Sequence, residues 1–536
     1  MGTERYRDCE VGIPTRSRIS LITSHSNEMY KTLTTLLAGM MLACTALAQE
    51  PSKMKMSTDV PDGVATPDKV ETRLGTLTLK DGIPDEATAK KIYDNLDFQR
   101  GVQAYLNSMQ IASLSGMRSA YLQFGPANQT VLCFEDLMDS KALWLTPNTV
   151  SVYFGCWVET EDEPLVIETP PNVLGLIDDA WFDYVADFGN AGPDKGKGGT
   201  FIILPPGYDE SEIPNLKQQF PDAYIFPSKT HGHWCLWRGF QVDGSTKPSV
   251  EATKKHFRIY SVSEKVEKPQ MNFINMSGRY HNTIHRMDYG FFEEVNEVIQ
   301  REPIEGADPE ILGQLASIGI QKGKSFEPDP RMERILKEAA DVAAVTARTI
   351  ASRPRGDSWY FFPGKRRWNT PFVGGDHEFA PKGARLLDAR SFFFFYATGI
   401  TPAMTKEMVG VGSQYAAAYL DADGNPFDGN KTYKINLPAP IPAKDFWSFT
   451  IYDNQTRSML QTDQQFPGID STKNGLQKNG DGSVDIYVGP KAPKGMESNW
   501  IQSAPGKGWN ILLRLYGPLA PWFERTWIPG DFKLVE

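Results

Sequence analysis

Short extended runs closed by Pro, Gly, Asn or Asp fill residues 131–266 and return near the C-terminus, a punctuation that limits much of this chain to packed sheet. The clearest run is Trp509-Asn-Ile-Leu-Leu-Arg-Leu-Tyr516. Side chains alternate across a strand, so Trp509, Ile511, Leu513 and Leu515 share one face while Asn510, Arg514 and Tyr516 take the other. Phe446-Trp-Ser-Phe-Thr-Ile-Tyr452 reads as another strand, and Val484, Ile486 and Val488 repeat the alternation. Nearer the N-terminus the expected strands are 150–158, 165–168, 200–204, 223–226, 234–240 and 256–262. Asp421-Ala-Asp-Gly-Asn425 and Asn479-Gly-Asp-Gly-Ser483 supply the positive φ angles of hairpin turns.

Helical spacing appears in two places. Tyr93, Leu96, Val102, Leu106, Met109 and Ile111 form a stripe running to about Phe124, with a break expected near Gly101. Phe291, Phe292, Val295 and Val298, then Met332, Ile335, Ala339, Val342, Thr346 and Ile350, form two more. The fold class expected is α+β, mostly β: two antiparallel jelly-roll-like sandwich domains with an N-terminal helical preface and a helical middle segment. The boundaries are a non-native or unstructured leader (1–28), a signal peptide (29–48), a flexible linker (49–82), an N-terminal β domain with its preface (83–275), a helical connecting segment (276–390) and a C-terminal β domain (391–536).

The signal reading rests on Lys31 before an apolar run that ends in Ala46-Leu47-Ala48, too short to span a bilayer and followed by polar residues. It predicts a periplasmic or secreted protein starting at Met1 or Met29, with no transmembrane span in the mature chain. Lipidation at Cys44 is the alternative. Cleavage after Ala48 leaves Cys133, Cys156 and Cys235, an odd number that cannot form a disulfide framework. A net charge of −10 argues against a nucleic-acid partner. Edge strands make a homo-oligomer an expectation.

Several constellations resemble chemistry. His281-Asn-Thr-Ile-His285 would place two imidazoles on one face of a helix, and His231-Gly-His233 could join them around a divalent metal, with Asp376 or Asp288 as a nearby carboxylate. Against this, no Glu follows His281, and the segment reads as a loop entering a helix. Asp178, Asp179, Asp183 and Asp187 surround Trp181 and Tyr184 as a carbohydrate site would, although their spacing is also that of an amphipathic helix. Asp421, Asp423, Asn425 and Asp428 imitate half a calcium loop. Ser413 lies in no nucleophile elbow and reads as a turn between helices. Cys156 and Cys235 read as buried, inert thiols.

Thr146-Pro-Asn-Thr149 with Tyr153, Pro164 to Pro170, Gly198-Gly199 to Gly207 and Trp237-Arg238 resemble the exported family called domain of unknown function 1254. Ala418 to Gly424, Phe446 to Tyr452, Asn479 to Ser483, Asn499-Trp500 and Leu513 to Tyr516 resemble its usual partner, domain of unknown function 1214. The resemblance implies two β-rich, jelly-roll-like domains and transfers no agreed activity. It places Asn148, Tyr153, Arg238, Trp447, Tyr452 and Arg514 on strands as candidate ligand-binding residues. A buried Arg needs a carboxylate or an anionic ligand, so Arg238 and Arg514 either form salt bridges or hold an acidic small molecule. Two functions remain open: a small-molecule or partner-binding or assembly protein, and a hydrolase, possibly metal-assisted, acting on an acidic or carbohydrate-like substrate.

Overall fold

The computed structural model describes residues 54–161 and 163–535. The leader, the signal segment and Cys44 lie outside the described residues. The described residues divide into two compact units, one ending at Asp85 and the other beginning at Glu86. In the first, Lys69–Thr72, Gly75–Lys80 and Ile83–Pro84 make a three-stranded antiparallel sheet. The Thr72 hydroxyl closes the first turn by donating to the Gly75 carbonyl at 2.9 Å.

In the second unit, α1 (Glu86–Asn107) and α2 (Met109–Leu122) are separated at Ser108 rather than at Gly101. Gly101 is a crossing point, not a break, since a Cβ there would stand 2.9 Å from that of Ala339. A six-stranded sheet follows, containing β1 (Val152–Glu159), β2 (Val173–Asp179), β3 (Tyr184–Gly189) and β4 (Gly232–Gly239). The central belt holds α3 (Gly290–Arg301), α4 (Pro309–Ser317), α5 (Pro330–Ser352) and α6 (Leu387–Tyr396). A five-stranded sheet built on β5 (Ser413–Ala418), β6 (Ala443–Asp453) and β7 (Gly508–Pro518) completes the frame.

Alternation sorts each main sheet into two faces. Val152, Phe154, Cys156 and Val158 of β1, with Cys235 and Trp237 of β4, pack against Leu165, Ile167, Phe201 and Ile203 of a second, four-stranded sheet. Trp509, Ile511, Leu513 and Leu515 of β7 likewise meet Ile435, Val484 and Ile486 of another four-stranded sheet. The opposite faces carry Tyr153, Trp157, Trp234 and Leu236 on one side and Ala417, Tyr452 and Leu512 on the other, and both enter one core with the helices. The layers are therefore sandwich, helical belt, sandwich.

Other expectations are corrected as well. Helix and strand are nearly balanced at 26% and 27% of the described residues, so the fold is mixed rather than mostly β. The sheets are not purely antiparallel: Gly199–Leu204 runs parallel to Tyr224–Pro227 because the short helix Ile213–Gln219 carries the chain back between them. Residues 178–187 are not helical; they form the β2–β3 hairpin, whose turn is closed by the Asp179 carboxylate accepting from the amides of Trp181 (2.8 Å) and Asp183 (3.0 Å). Ser413 opens strand β5 instead of a turn between helices. The α5 stripe is also shifted, because Ala340, Ala343 and Ala347 face the core while Val342 is 41% exposed. Small residues let the neighbouring helices approach that face closely.

Candidate active-site cavity

Cross-strand pairing makes two Tyr–Arg pairs. Arg238 on β4 stands opposite Tyr153 on β1, and Arg514 on β7 stands opposite Tyr415 on β5. Each pair lies on the belt-facing side of its sheet, and the four residues converge on one cavity of about 100 Å³. Leu176, Leu236, Phe372, Phe393, Met404 and Leu512 supply its apolar wall. Among the described residues, no Asp or Glu lines it.

Arg514 is fully buried and held by neutral acceptors. Its Nη1 donates to Thr450 Oγ1 at 3.0 Å, and Nη2 donates to the Thr146 carbonyl at 2.9 Å, the Pro147 carbonyl at 3.2 Å and Tyr452 Oη at 2.6 Å. Thr146 offers its carbonyl from a φ of 46°, a conformation unfavourable for a β-branched residue. The loop is thus constrained in the act of capping a guanidinium. Asn148 Nδ2 donates to Tyr153 Oη at 2.8 Å, which occupies that oxygen as an acceptor and leaves its proton available for donation.

Charge in the cavity follows from these contacts. Burial works to discharge Arg238 and Arg514, but the surrounding Tyr415, Tyr153, Tyr516 and Tyr452 hydroxyls outweigh it and hold both guanidiniums charged. Burial would raise the Tyr415 hydroxyl; the Arg238 and Arg514 charges overcome that and hold it below the ordinary tyrosine value. The arrangement is a cationic recess with apolar sides, suited to a small anion that the Tyr153 hydroxyl can hydrogen-bond, with Tyr415 held by the two guanidiniums beside it.

Of the candidate residues read from sequence, Asn148, Tyr153, Arg238 and Arg514 line the cavity. Tyr452 stands behind it, donating to the Pro147 carbonyl at 2.6 Å while accepting from Arg514. Trp447 does not join them. It lies five residues from Tyr452, hence on the other face of β6, and packs beside Phe449 inside the C-terminal sandwich. Sequence reasoning missed Tyr415 because the run Tyr415-Ala-Ala-Ala418 has no polar alternation. It missed Phe393 and Tyr396 because a continuous aromatic run on α6 has no marked face.

The four histidines do not assemble as ligands. His281 is on a two-residue strand, His281–Asn282, and the chain runs without regular structure to α3, so no helical i,i+4 pair forms. Trp144 Nε1 donates to His281 Nδ1 at 3.0 Å, which fixes the neutral tautomer with its proton on Nε2. His285 Nδ1 meets the Arg286 carbonyl at 2.7 Å, and His233 Nε2 meets Ser228 Oγ at 2.7 Å. The His231 amide donates to Glu302 at 2.7 Å. Asp288 pairs with Arg286 and Asp376 with His377 instead. Among the described residues, no group of three or more His, Cys, Asp or Glu is placed to hold a metal ion. The Asp421 carboxylate, read as half a calcium loop, accepts from the amides of Asp423 (3.0 Å) and Asn425 (2.8 Å) and so closes a turn. Cys133, Cys156 and Cys235 are buried free thiols, and no described helix is long and apolar enough to cross a membrane.

The fold and the cavity define a mixed helix-and-sheet protein in which two sandwiches share an arginine–tyrosine recess. Residues 128–261 match the family described as Protein of unknown function (DUF1254), and residues 412–520 match Protein of unknown function (DUF1214), in that order along the chain. The first segment carries Asn148, Tyr153 and Arg238, and the second carries Tyr415 and Arg514. Among solved structures, the VPA0106 protein from Vibrio parahaemolyticus is similar over 82% of this chain and 100% of its own, at 17% identity and a TM-score of 0.51, a likeness of fold. An uncharacterised protein from Burkholderia cenocepacia aligns over 83% of this chain and 96% of its own at 11% identity and a TM-score of 0.35. No curated protein matches.

Proposed function

We propose that this protein binds a small anion with an apolar body in the recess between its two sandwiches, and that it does so outside the cytoplasm. One observation carries the reading: two guanidiniums, contributed by the two family segments, converge on a cavity whose described lining contains no carboxylate. Cationic groups without a carboxylate partner in a desolvated recess favour an anionic guest. Apolar walls beside them favour a guest with a hydrocarbon or aromatic part. Export is supported by the basic residue, apolar run and Ala46-Leu47-Ala48 of the signal segment.

Trp144 lines the cavity and reports on it. Titration with octanoate, followed by tryptophan fluorescence, is expected to saturate, and 1-octanol is expected to bind at least tenfold more weakly because it lacks the charge. Arg238→Gln should weaken octanoate by roughly tenfold or more without lowering the melting temperature. Equal binding of the alcohol, or unchanged binding by the variant, would refute the proposal.

A further inference from the structure

Helix α6 has a second cavity on its other side. Phe393 and Tyr396 face the recess described above, whereas Arg390 and Phe394 line a separate space of about 220 Å³. Its charged lining is balanced, with Lys229, Arg385 and Arg390 against Asp183, Asp308 and Glu378. Its apolar lining includes Ile111, Ile311, Leu312 and Phe394, the last stacked on Phe182 with ring centroids 4.9 Å apart.

Three residues of this cavity keep a buried side-chain atom without a hydrogen-bond partner among the described residues: Arg390 Nε, Trp181 Nε1 and Gln110 Oε1. Such orphans are rare in folded proteins. Their immediate neighbourhood is otherwise well bonded. Arg390 Nη2 donates to Asn107 Oδ1 at 3.1 Å, Asn107 Nδ2 donates to Gln314 Oε1 at 2.9 Å, and Gln110 Nε2 donates to the Asn107 carbonyl at 2.9 Å. Of the lining carboxylates, Asp308 accepts from the amides of Glu310 and Ile311 at the start of α4, and Asp183 pairs with Lys229 at 3.7 Å. Arg390 is 4% exposed and pairs with no carboxylate of the described residues.

We infer that this cavity is a second ligand site, distinct from the anion recess, for a free amino acid with a branched aliphatic side chain. The orphaned set consists of two donors and one acceptor, which complements a carboxylate and an ammonium group. The guanidinium edge suits the carboxylate, and Gln110 Oε1 with the acidic residues suits the ammonium. A lining of three cations and three anions favours a guest of zero net charge over a simple anion. The aliphatic side of the wall, Ile111, Ile311 and Leu312, accepts the side chain, beside the rings of Trp181, Phe182, Phe379 and Phe394 that complete the apolar lining.

Isothermal titration of the full chain with L-leucine tests this. Leucine is expected to bind at one site, with 4-methylpentanoate (no ammonium) and leucinamide (no free carboxylate) each weaker by roughly tenfold or more. Arg390→Gln should abolish the heat. Because Arg390 is buried, Leu312→Trp, which fills the cavity from a half-buried position, is the second variant and should also abolish it at unchanged melting temperature. Arg238→Gln should leave leucine binding within twofold, which separates this site from the recess. The inference is overturned by no binding at about 10 mM leucine, by binding that survives both cavity variants, by loss in Arg238→Gln instead, or by glucose binding as tightly as leucine.

Discussion

Arg514 Nη2 donates to Tyr452 Oη at 2.6 Å, and Tyr452 Oη in turn donates to the Pro147 carbonyl at 2.6 Å. This relay ties β6 and β7 of the C-terminal sheet to the 146–148 loop of the N-terminal half. Tyr452→Phe removes an acceptor from a buried guanidinium and a donor from a buried carbonyl. We expect a loss of about 1–3 kcal/mol, read as a lower urea midpoint at unchanged m-value. An unchanged midpoint would mean that the relay contributes nothing to holding the halves together.

Gly155 sets how closely α2 can lie on the N-terminal sheet. A Cβ at that position would stand 2.2 Å from Tyr121 Oη, which also accepts from Trp234 Nε1 at 3.3 Å. Gly155→Ala is therefore expected to destabilise by about 1–3 kcal/mol through overpacking, despite alanine's advantage over glycine in the unfolded chain. Tyr121→Phe in the same background should recover part of the loss. Failure of that rescue in thermal denaturation would disprove the steric account.

The buried histidines give the protein an acid-sensitive term. Burial lowers His233 and His281 to about 4 and His285 to about 3, from an ordinary 6.5. The unfolded chain then binds more protons than the folded one below about pH 6.5, so this contribution is complete above that pH and is lost as pH falls toward 4. His285→Phe should remove up to one proton from the linkage, flattening the slope of unfolding free energy between pH 6.5 and 4 by at most about 1.4 kcal/mol per pH unit relative to wild type. Identical slopes would show that His285 is not buried neutral.

Alternation made the strands and their faces legible: Trp509, Ile511, Leu513 and Leu515 were assignable to one side of β7 and Arg514 to the other without coordinates. The same rule separates Trp447 from Tyr452. The 178–187 hairpin was not legible, because its turn depends on Phe182 at a φ of 62° and on an Asp179 carboxylate capping two amides, features that the spacing of four acidic residues conceals. Half of the recess was visible as arginines interrupting apolar runs. Tyr415 and the aromatic residues of α6 were not, since their role comes from two sheets meeting across a helix, a long-range relation that local periodicity does not encode.

Glu302 illustrates that last point. It follows α3 and is completely buried, yet its carboxylate accepts from the amides of His231 (2.7 Å) and Gly232 (3.3 Å) at the start of β4 and from Arg301 Nε at 2.9 Å. Glu302→Gln keeps one carbonyl oxygen for those amides but turns its NH2 toward Arg301 Nε, so it should cost about 1–3 kcal/mol, the loss of one charge-assisted hydrogen bond. Glu302→Ala leaves two amides and a half-buried guanidinium without their acceptor, so about 3–5 kcal/mol is expected, the range for breaking a buried ion pair from one side. The two variants should thus separate clearly in urea melts. If alanine and glutamine were equally mild, the carboxylate would be a spectator at the junction of α3 with β4.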